Sequence, residues 1–382
     1  MSEMNRLKLY RLDEIKNLKV HGRNTGSLSP LTLFWTGSAL ELNVSGSELW
    51  IEVEASYDSL EPWINIVINS CPVSRRMVTK GRSFIPVFRG MNPEKVKNIR
   101  IIRDTQAMNG DPECCLQLHA IRSDGDFLPI KERPYRLEFI GDSISSGEGA
   151  VGAREEEDWI PMWFSATDNY TWLVAQALDA DYRVISESGW GVYSGWDNNP
   201  HFNMPAYYEQ VCGVLTGERN RLLGAFVEND FAAWQPDAVI VNLGTNDGNA
   251  FYSPAWKDEV TGRIYKQGLN EDGSFQEEAL EKFRQAVKGF LYKIRYYNPK
   301  AQVVWAYGML GQSMLPAIQE AVEAYIKESK DPKVSVLELP DTTRETVGSR
   351  MHPGVLSHRR AAEVLTEYLK SILISEGKNG QK

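Results

Sequence analysis

Four cysteines in 382 residues are too few for a disulfide-stapled fold, and Cys71, Cys114, Cys115 and Cys212 show no metal-ligand spacing. They read as reduced structural thiols. Positive charge is in deficit: 42 Lys and Arg stand against 51 Asp and Glu, a formal net charge of −9. That balance argues against a nucleic-acid backbone or an anionic membrane as partner. No run approaches the roughly 20 apolar residues that cross a bilayer. The start, Met1-Ser2-Glu3-Met4-Asn5-Arg6-Leu7-Lys8, lacks the apolar centre of a signal peptide, and the expected location is cytoplasmic. There is no internal repeat and no low-complexity tract, and nothing implies a metal or a cofactor. Histidine is scarce too, with five in the chain, which leaves few candidates for a general base.

What the chain does contain changes its pattern near residue 134. Residues 1–133 read as an all-β sandwich. Leu40, Leu42 and Val44 alternate with Glu41 and Asn43, and Leu49-Trp50-Ile51-Glu52-Val53-Glu54 alternates again after Gly46. Further strands are expected at 83–88, 97–103 and 115–122. From Tyr135 onward strands alternate with helices, at 136–140, 182–186, 238–243, 302–307 and 334–337, which implies a parallel sheet covered on both faces. The clearest helix opens on Ser274 and Glu277, a capping-box spacing. It continues through Leu280, Phe283, Val287, Leu291 and Ile294 and stops at Asn298-Pro299. The domains are therefore expected at 1–133 and 134–376. Two long connections, 147–168 and 248–273, follow strand ends and are expected to wall a pocket.

The most informative stretch is Leu137-Glu138-Phe139-Ile140-Gly141-Asp142-Ser143-Ile144. An apolar strand ends in a small polar triplet, which puts a hydroxyl beyond the carboxyl end of a strand, where open α/β sheets bind ligands. A serine needs a base. His21 and His119 fall in the β half, and His201 lies in a loop with Asn198, Asn199 and Pro200. His352 heads Met351-His352-Pro353-Gly354 after the last strand, where the proline favours extended backbone, and it is the base this reading selects. Acyl transfer also needs donors for an oxyanion. Asn246 follows the third strand in Gly244-Thr245-Asn246-Asp247, and glycines follow the second in Ser188-Gly189-Trp190-Gly191.

These four blocks resemble the SGNH (GDSL-like) hydrolase superfamily. The resemblance implies a three-layer flavodoxin-like domain, with Ser143 as nucleophile and His352 as base. Its oxyanion hole would be built from the N–H groups of Ser143 and Gly191 and the Asn246 side chain. Gly189 is the less favoured choice for the loop donor. One departure stands out: the acid usually found three residues before the histidine is Ser349 here. Either a Ser–His dyad operates with a backbone carbonyl orienting the imidazole, which is favoured, or Asp341 or Glu345 reaches in. The sandwich half, with His21-Gly22-Arg23-Asn24 and Leu33-Phe34-Trp35-Thr36-Gly37-Ser38, is similar to the jelly-roll-like domain of carbohydrate esterase family 2. Members of that family are deacetylases of plant polysaccharides and their oligosaccharides, commonly with a Ser–His dyad.

The resulting expectation is a serine esterase that removes O-acetyl groups from carbohydrates such as xylan, mannan or glucomannan fragments. Of the eleven tryptophans, Trp190 and Trp196 flank Gly191 and are candidates for sugar stacking, and Asp142 and Asp247 are further candidates for substrate contact. For Trp159 and Trp163 core packing is at least as strong a reading. A lysophospholipase or thioesterase, or a catalytically inert carbohydrate-binding protein, are the competing readings.

Overall fold

The structure, a computed structural model, describes residues 7–379, so most of the start, Met1 to Arg6, from which a location was read lies outside the described residues. The chain forms two compact units. The first comprises Met1–Pro134, Trp159–Thr167 and Glu209–Asn229. It holds two antiparallel sheets. One orders Lys8–Arg11, Cys115–Ser123, Glu48–Ser56 and Gly81–Arg89. The other orders Phe127–Leu128, Ala39–Val44, Lys97–Arg103, Trp63–Ile68 and Cys71–Met77. Their inward rows make one core: Leu40, Leu42, Ile64, Ile66, Ile99 and Ile101 from one sheet meet Ile51, Val53, Leu116, Leu118 and Ile121 from the other. Alternation along each strand drives this, since every second side chain points the same way. Glu41, expected on the polar side of its strand, is buried instead. His21 and Arg133 lie 2.6 and 2.7 Å from its carboxylate, which supplies the partners a buried charge needs.

Two segments far along the chain belong to this sandwich. Arg75 donates to the carbonyls of Met162 and Phe164 at 2.8 and 2.6 Å, and Trp159 meets Phe164 edge-on at 5.9 Å beside Met108 and Cys114. Trp35 Nε1 donates to the Val211 carbonyl at 2.7 Å. The connection expected to wall a pocket over 147–168 is thus divided. Its first part stays with the second unit, and Trp159 serves packing in the first.

The second unit comprises Tyr135–Asp158, Asp168–Tyr208 and Asp230–Lys382. Within it we number the parallel strands β1 (Tyr135–Gly141), β2 (Ala180–Ser186), β3 (Ala238–Asn242), β4 (Gln302–Gly308) and β5 (Val334–Leu339). They run in the order β2-β1-β3-β4-β5, all parallel. Leu137, Phe139, Ile140, Val239, Ile240 and Val241 are fully buried, as continuous apolar strands of a sheet covered on both faces must be. The helices are α1 (Ser143–Ser146), α2 (Tyr170–Ala177), α3 (Thr245–Ala250), α4 (Glu277–Tyr297), α5 (Leu315–Ser329) and α6 (Val355–Asn379). On α4 the buried stripe is Phe283, Val287, Leu291 and Ile294, but the expected capping box does not form. Gln276 occupies the cap position without a side-chain bond, and the Ser274 hydroxyl donates to Asp272 at 2.6 Å, two residues back. The connection at 248–273 contains a small hairpin, Trp256–Lys257 with Ile264–Tyr265. No described helix is long and apolar enough to cross a membrane.

The register positions the site. Gly141 at the end of β1 pairs with Ser186 at the end of β2 and with Asn242 at the end of β3. Three loops therefore leave the sheet side by side at the point where strand order reverses, the usual place for a ligand in an open α/β sheet.

Candidate active site

Ser143 opens α1 immediately after β1. The turn is built for it. A Cβ on Gly141 would meet Ser145 Oγ at 2.0 Å and the Asn242 carbonyl oxygen at 3.0 Å, so only glycine lets the strand pass there. Asp142 caps the short helix by accepting from Ile144 N–H at 3.0 Å. The Ser143 N–H stands in the first turn of α1, where no intrahelical acceptor exists.

His352 lies between β5 and α6. Its Nε2 is 3.0 Å from Ser143 Oγ, and its Nδ1 is 2.8 Å from the Arg350 carbonyl oxygen. A carbonyl can only accept, so Nδ1 carries the ring hydrogen and Nε2 presents its lone pair to the serine hydroxyl. Unusual backbone aims that carbonyl. Arg350 and Met351 have φ of 55° and 56°, a left-handed conformation that non-glycine residues seldom adopt. Asp341 and Glu345 are engaged elsewhere: Asp341 accepts from Gly311 N–H and Thr342 N–H, and Glu345 from the Thr343 hydroxyl. A backbone carbonyl thus stands where the carboxylate of a triad would.

Asn246 sits in the first turn of α3. Its Nδ2 donates to Asp142 Oδ2 at 3.1 Å and to the Trp190 carbonyl at 2.9 Å, so both amide hydrogens are engaged inside the protein. Gly191 is also committed. Its N–H donates to the Phe202 carbonyl at 3.1 Å. A Cβ there would meet Ser194 O at 2.2 Å and Asp247 Oδ2 at 2.4 Å, which explains the glycine by packing. Asp247 holds this loop in shape by accepting from the N–H groups of Val192, Tyr193 and Ser194 at 2.8 to 3.1 Å.

Three residues that the sequence offered for substrate contact are buried beside the site. Trp190 is 3% exposed. It is stacked on Phe202 at 5.1 Å and meets Tyr207 at 5.2 Å, so its ring is walled in. Asp142 and Asp247 are fully buried with their oxygens taken up as above. Burial, reinforced by neighbouring Asp247 and Glu148, pushes the Asp142 carboxyl up to about 7. Burial pushes Asp247 up to about 6 despite its three N–H donors. Both are scaffold groups. Trp196, by contrast, is 52% exposed, and its ring lies over Gly189, within 3.0 Å of where a Cβ would be.

The sequence reading passed over Glu148 and Arg350. Glu148 is almost fully buried, accepts from Arg350 Nε at 2.9 Å and lies 3.7 Å from His352 Nε2. An acid isolated between Gly147 and Gly149, just after the serine, was the one available signal.

Comparison with known proteins places the chain in a family. Residues 137–365 match the model of the GDSL-like lipase/acylhydrolase family. An acetyl xylan esterase from the rumen bacterium Butyrivibrio proteoclasticus is 43% identical, with a TM-score of 0.95 over 96% of this chain and 99% of that one. A family two carbohydrate esterase from Clostridium thermocellum, solved in complex with cellohexaose, shares the fold at 23% identity, with a TM-score of 0.77 over 94% of this chain and 99% of its own. Among curated relatives, an acetylxylan esterase/glucomannan deacetylase of Cellvibrio japonicus is 27% identical over 64% of each chain. A cellulase/esterase of Acetivibrio thermocellus is 25% identical over 89% of this chain but 37% of its own length. The chain thus spans less than two thirds of either curated relative.

Proposed function

The chain belongs to the GDSL-like lipase/acylhydrolase family, and on that footing we propose that it is a serine esterase removing O-acetyl groups from carbohydrates, with acetylated xylan, mannan or glucomannan oligosaccharides as substrates. The observation that carries the reading is the contact of 3.0 Å between Ser143 Oγ and His352 Nε2, with Nδ1 held on a carbonyl. The name of the 43% identical relative, an acetyl xylan esterase, supports the choice of acyl group and substrate class.

In this reading Ser143 Oγ attacks the acetyl carbon while its proton passes to His352 Nε2. The carbonyl π electrons move onto oxygen, which the Ser143 N–H, the Asn246 amide and the Gly191 N–H receive. Collapse breaks the bond to the sugar oxygen, and the imidazolium returns its proton to that oxygen. Water, with His352 again as base, releases acetate and restores the serine. The three donors differ in readiness. Asn246 exchanges its longer contact, to Asp142, for the oxyanion, and the Gly191 N–H shares itself between Phe202 and the substrate. Such tightening in the reacting complex is ordinary for sites without substrate.

The test is acyl-chain and substrate preference. Acetylated xylo-, manno- and gluco-oligosaccharides should lose acetyl NMR signals, and p-nitrophenyl acetate should be turned over far faster than the octanoate. Preference for octanoate would favour a lipid acyl hydrolase, and a chain that releases no acetate at all would favour an inert carbohydrate binder.

Trp196 extends the reading to sugar contact, since an exposed indole over a glycine offers a face to a pyranose ring. Trp196→Ala is expected to lower kcat/KM on acetylated oligosaccharides by about tenfold, the scale of one aromatic contact. Turnover of p-nitrophenyl acetate should stay unchanged. Equal losses on both substrates would remove Trp196 from the sugar site.

A further inference from the structure

We infer that Glu148, carried on the nucleophile's own loop, is a positioning residue for His352: it fixes the Arg350 carbonyl on Nδ1 and supplies the negative charge that faces the imidazolium. The inference rests on the esterase reading and adds a member that neither the motif blocks nor the relatives' names assign. It also explains how the site works without an acid at Ser349.

The loop after Ser143 is laced onto the loop that bears the base. Ser349 N–H donates to the Gly149 carbonyl at 3.2 Å, Ser349 Oγ to the Val151 carbonyl at 2.9 Å, and Arg350 N–H to the Glu156 carbonyl at 2.7 Å. The Arg350 guanidinium then divides between two anchors, Glu148 Oε1 at 2.9 Å through Nε and the Glu157 carbonyl at 2.7 Å through Nη1. With the arginine gripped at backbone and side chain, its left-handed conformation is held and its carbonyl stays on the imidazole. Glycine is required beside this clamp. At Gly149, with φ +71°, a Cβ would meet Ser349 O at 2.4 Å and His352 Cβ at 2.5 Å.

The charges follow the proton. Before attack, Glu148 and Arg350 form a neutral pair and His352 is neutral. When the serine proton reaches Nε2, a cation appears on the half-buried imidazole 3.7 Å from the buried Glu148 carboxylate, close enough for a direct attraction. Glu148 is suited to be ionised when the proton arrives. Burial would push its carboxyl up, but the charge of a protonated His352, a hydrogen bond from Ser188 and Arg350 outweigh burial and hold it below the ordinary range. The other titratable groups around His352 do not replace it. Asp142 and, behind it, Asp247 are buried and raised. His358 of α6 is pushed down to about 3 by burial and by His352, and so stays neutral.

Two variants test this with opposite signs. Glu148→Gln removes the anion and leaves the guanidinium, so protonated imidazole becomes less favourable. The acid limb of the kcat/KM profile for p-nitrophenyl acetate should move to lower pH by about one unit. Above that limb kcat should fall about tenfold, with KM within about twofold, one unit of proton affinity being a factor of ten. Arg350→Gln leaves the anion alone with the histidine, and the limb should move to higher pH. Glu148→Asp should restore much of the wild-type profile. A merely structural ion pair would lower the thermal midpoint in both variants and leave the limbs in place or move them together, and either result overturns the inference. Should Glu148→Gln fail to fold, the direction of the Arg350→Gln shift alone decides. Labelling of wild-type Ser143 by a fluorophosphonate keeps the two readings apart: without labelling and acetate release the esterase reading fails, whereas with both and unmoved limbs only the role of Glu148 fails.

Discussion

Ser143→Ala is expected to reduce kcat for acetate release by about 10⁴- to 10⁶-fold, the scale on which a serine nucleophile acts together with its base. The fold should survive. The Ser143 hydroxyl bonds to His352 Nε2, and alanine is well suited to a first helical turn. The neighbouring serines show why the effect should be confined to this position. Ser145 Oγ lies 2.7 Å from the Tyr170 hydroxyl, and Ser146 Oγ donates to Ser186 Oγ at 2.8 Å. Both are fully buried. Ser145→Ala is therefore the control, costing about 1 kcal/mol of stability for the lost hydrogen bond while Ser143 stays reactive. Steady-state release of acetate from p-nitrophenyl acetate and from acetylated oligosaccharides, read beside thermal midpoints, separates the two cases. Undiminished turnover in Ser143→Ala would end the nucleophile assignment, whatever the family.

What the sequence disclosed follows from how locally each feature is determined. The five parallel strands were legible because a strand buried on both faces must be apolar throughout, and runs such as Val239-Ile240-Val241 allow little else. Ser143 was legible because a Gly-Asp-Ser triplet after such a strand marks a chain leaving the sheet. The failures share a different cause. Trp190 and Trp196 sit on either side of Gly191 in similar company, yet one is enclosed by Phe202 and Tyr207 and the other lies open. That difference comes from partners 12 and 17 residues beyond Trp190 and cannot be read from its neighbours. Ser274 matched a capping spacing, but an aspartate two residues earlier claimed its hydroxyl. Trp159–Thr167 and Glu209–Asn229 joined the sandwich through contacts such as those of Arg75 and Trp35, which no change of pattern along the chain announces. Glu148 is the same problem at the site: its meaning depends on Arg350, two hundred and two residues away.

Asn246→Ala should lower kcat by about 10²–10³, the cost of one oxyanion donor, with KM within about twofold, because the contact forms as charge develops on the acetyl oxygen. The structure adds a second, separable effect. Both Nδ2 hydrogens have internal acceptors, so truncation leaves the Trp190 carbonyl and the Asp142 carboxylate each short of a donor. Unmatched buried acceptors cost about 1–3 kcal/mol each, and the thermal midpoint should fall accordingly. Asn246→Asp distinguishes the two roles. It keeps the side chain's shape but replaces the donor by an acceptor and sets a third carboxylate beside Asp142 and Asp247, both already raised by burial. Folding should suffer more as pH rises, because a carboxyl whose pKa is raised in the folded protein favours the native state in its protonated form and opposes it once ionised. Activity should be no better than that of Asn246→Ala at any pH. If instead Asn246→Ala changes KM alone and kcat is retained, the amide only braces Asp142 against the Trp190 carbonyl, and the oxyanion must be met by the N–H groups of Ser143 and the Gly189–Gly191 turn.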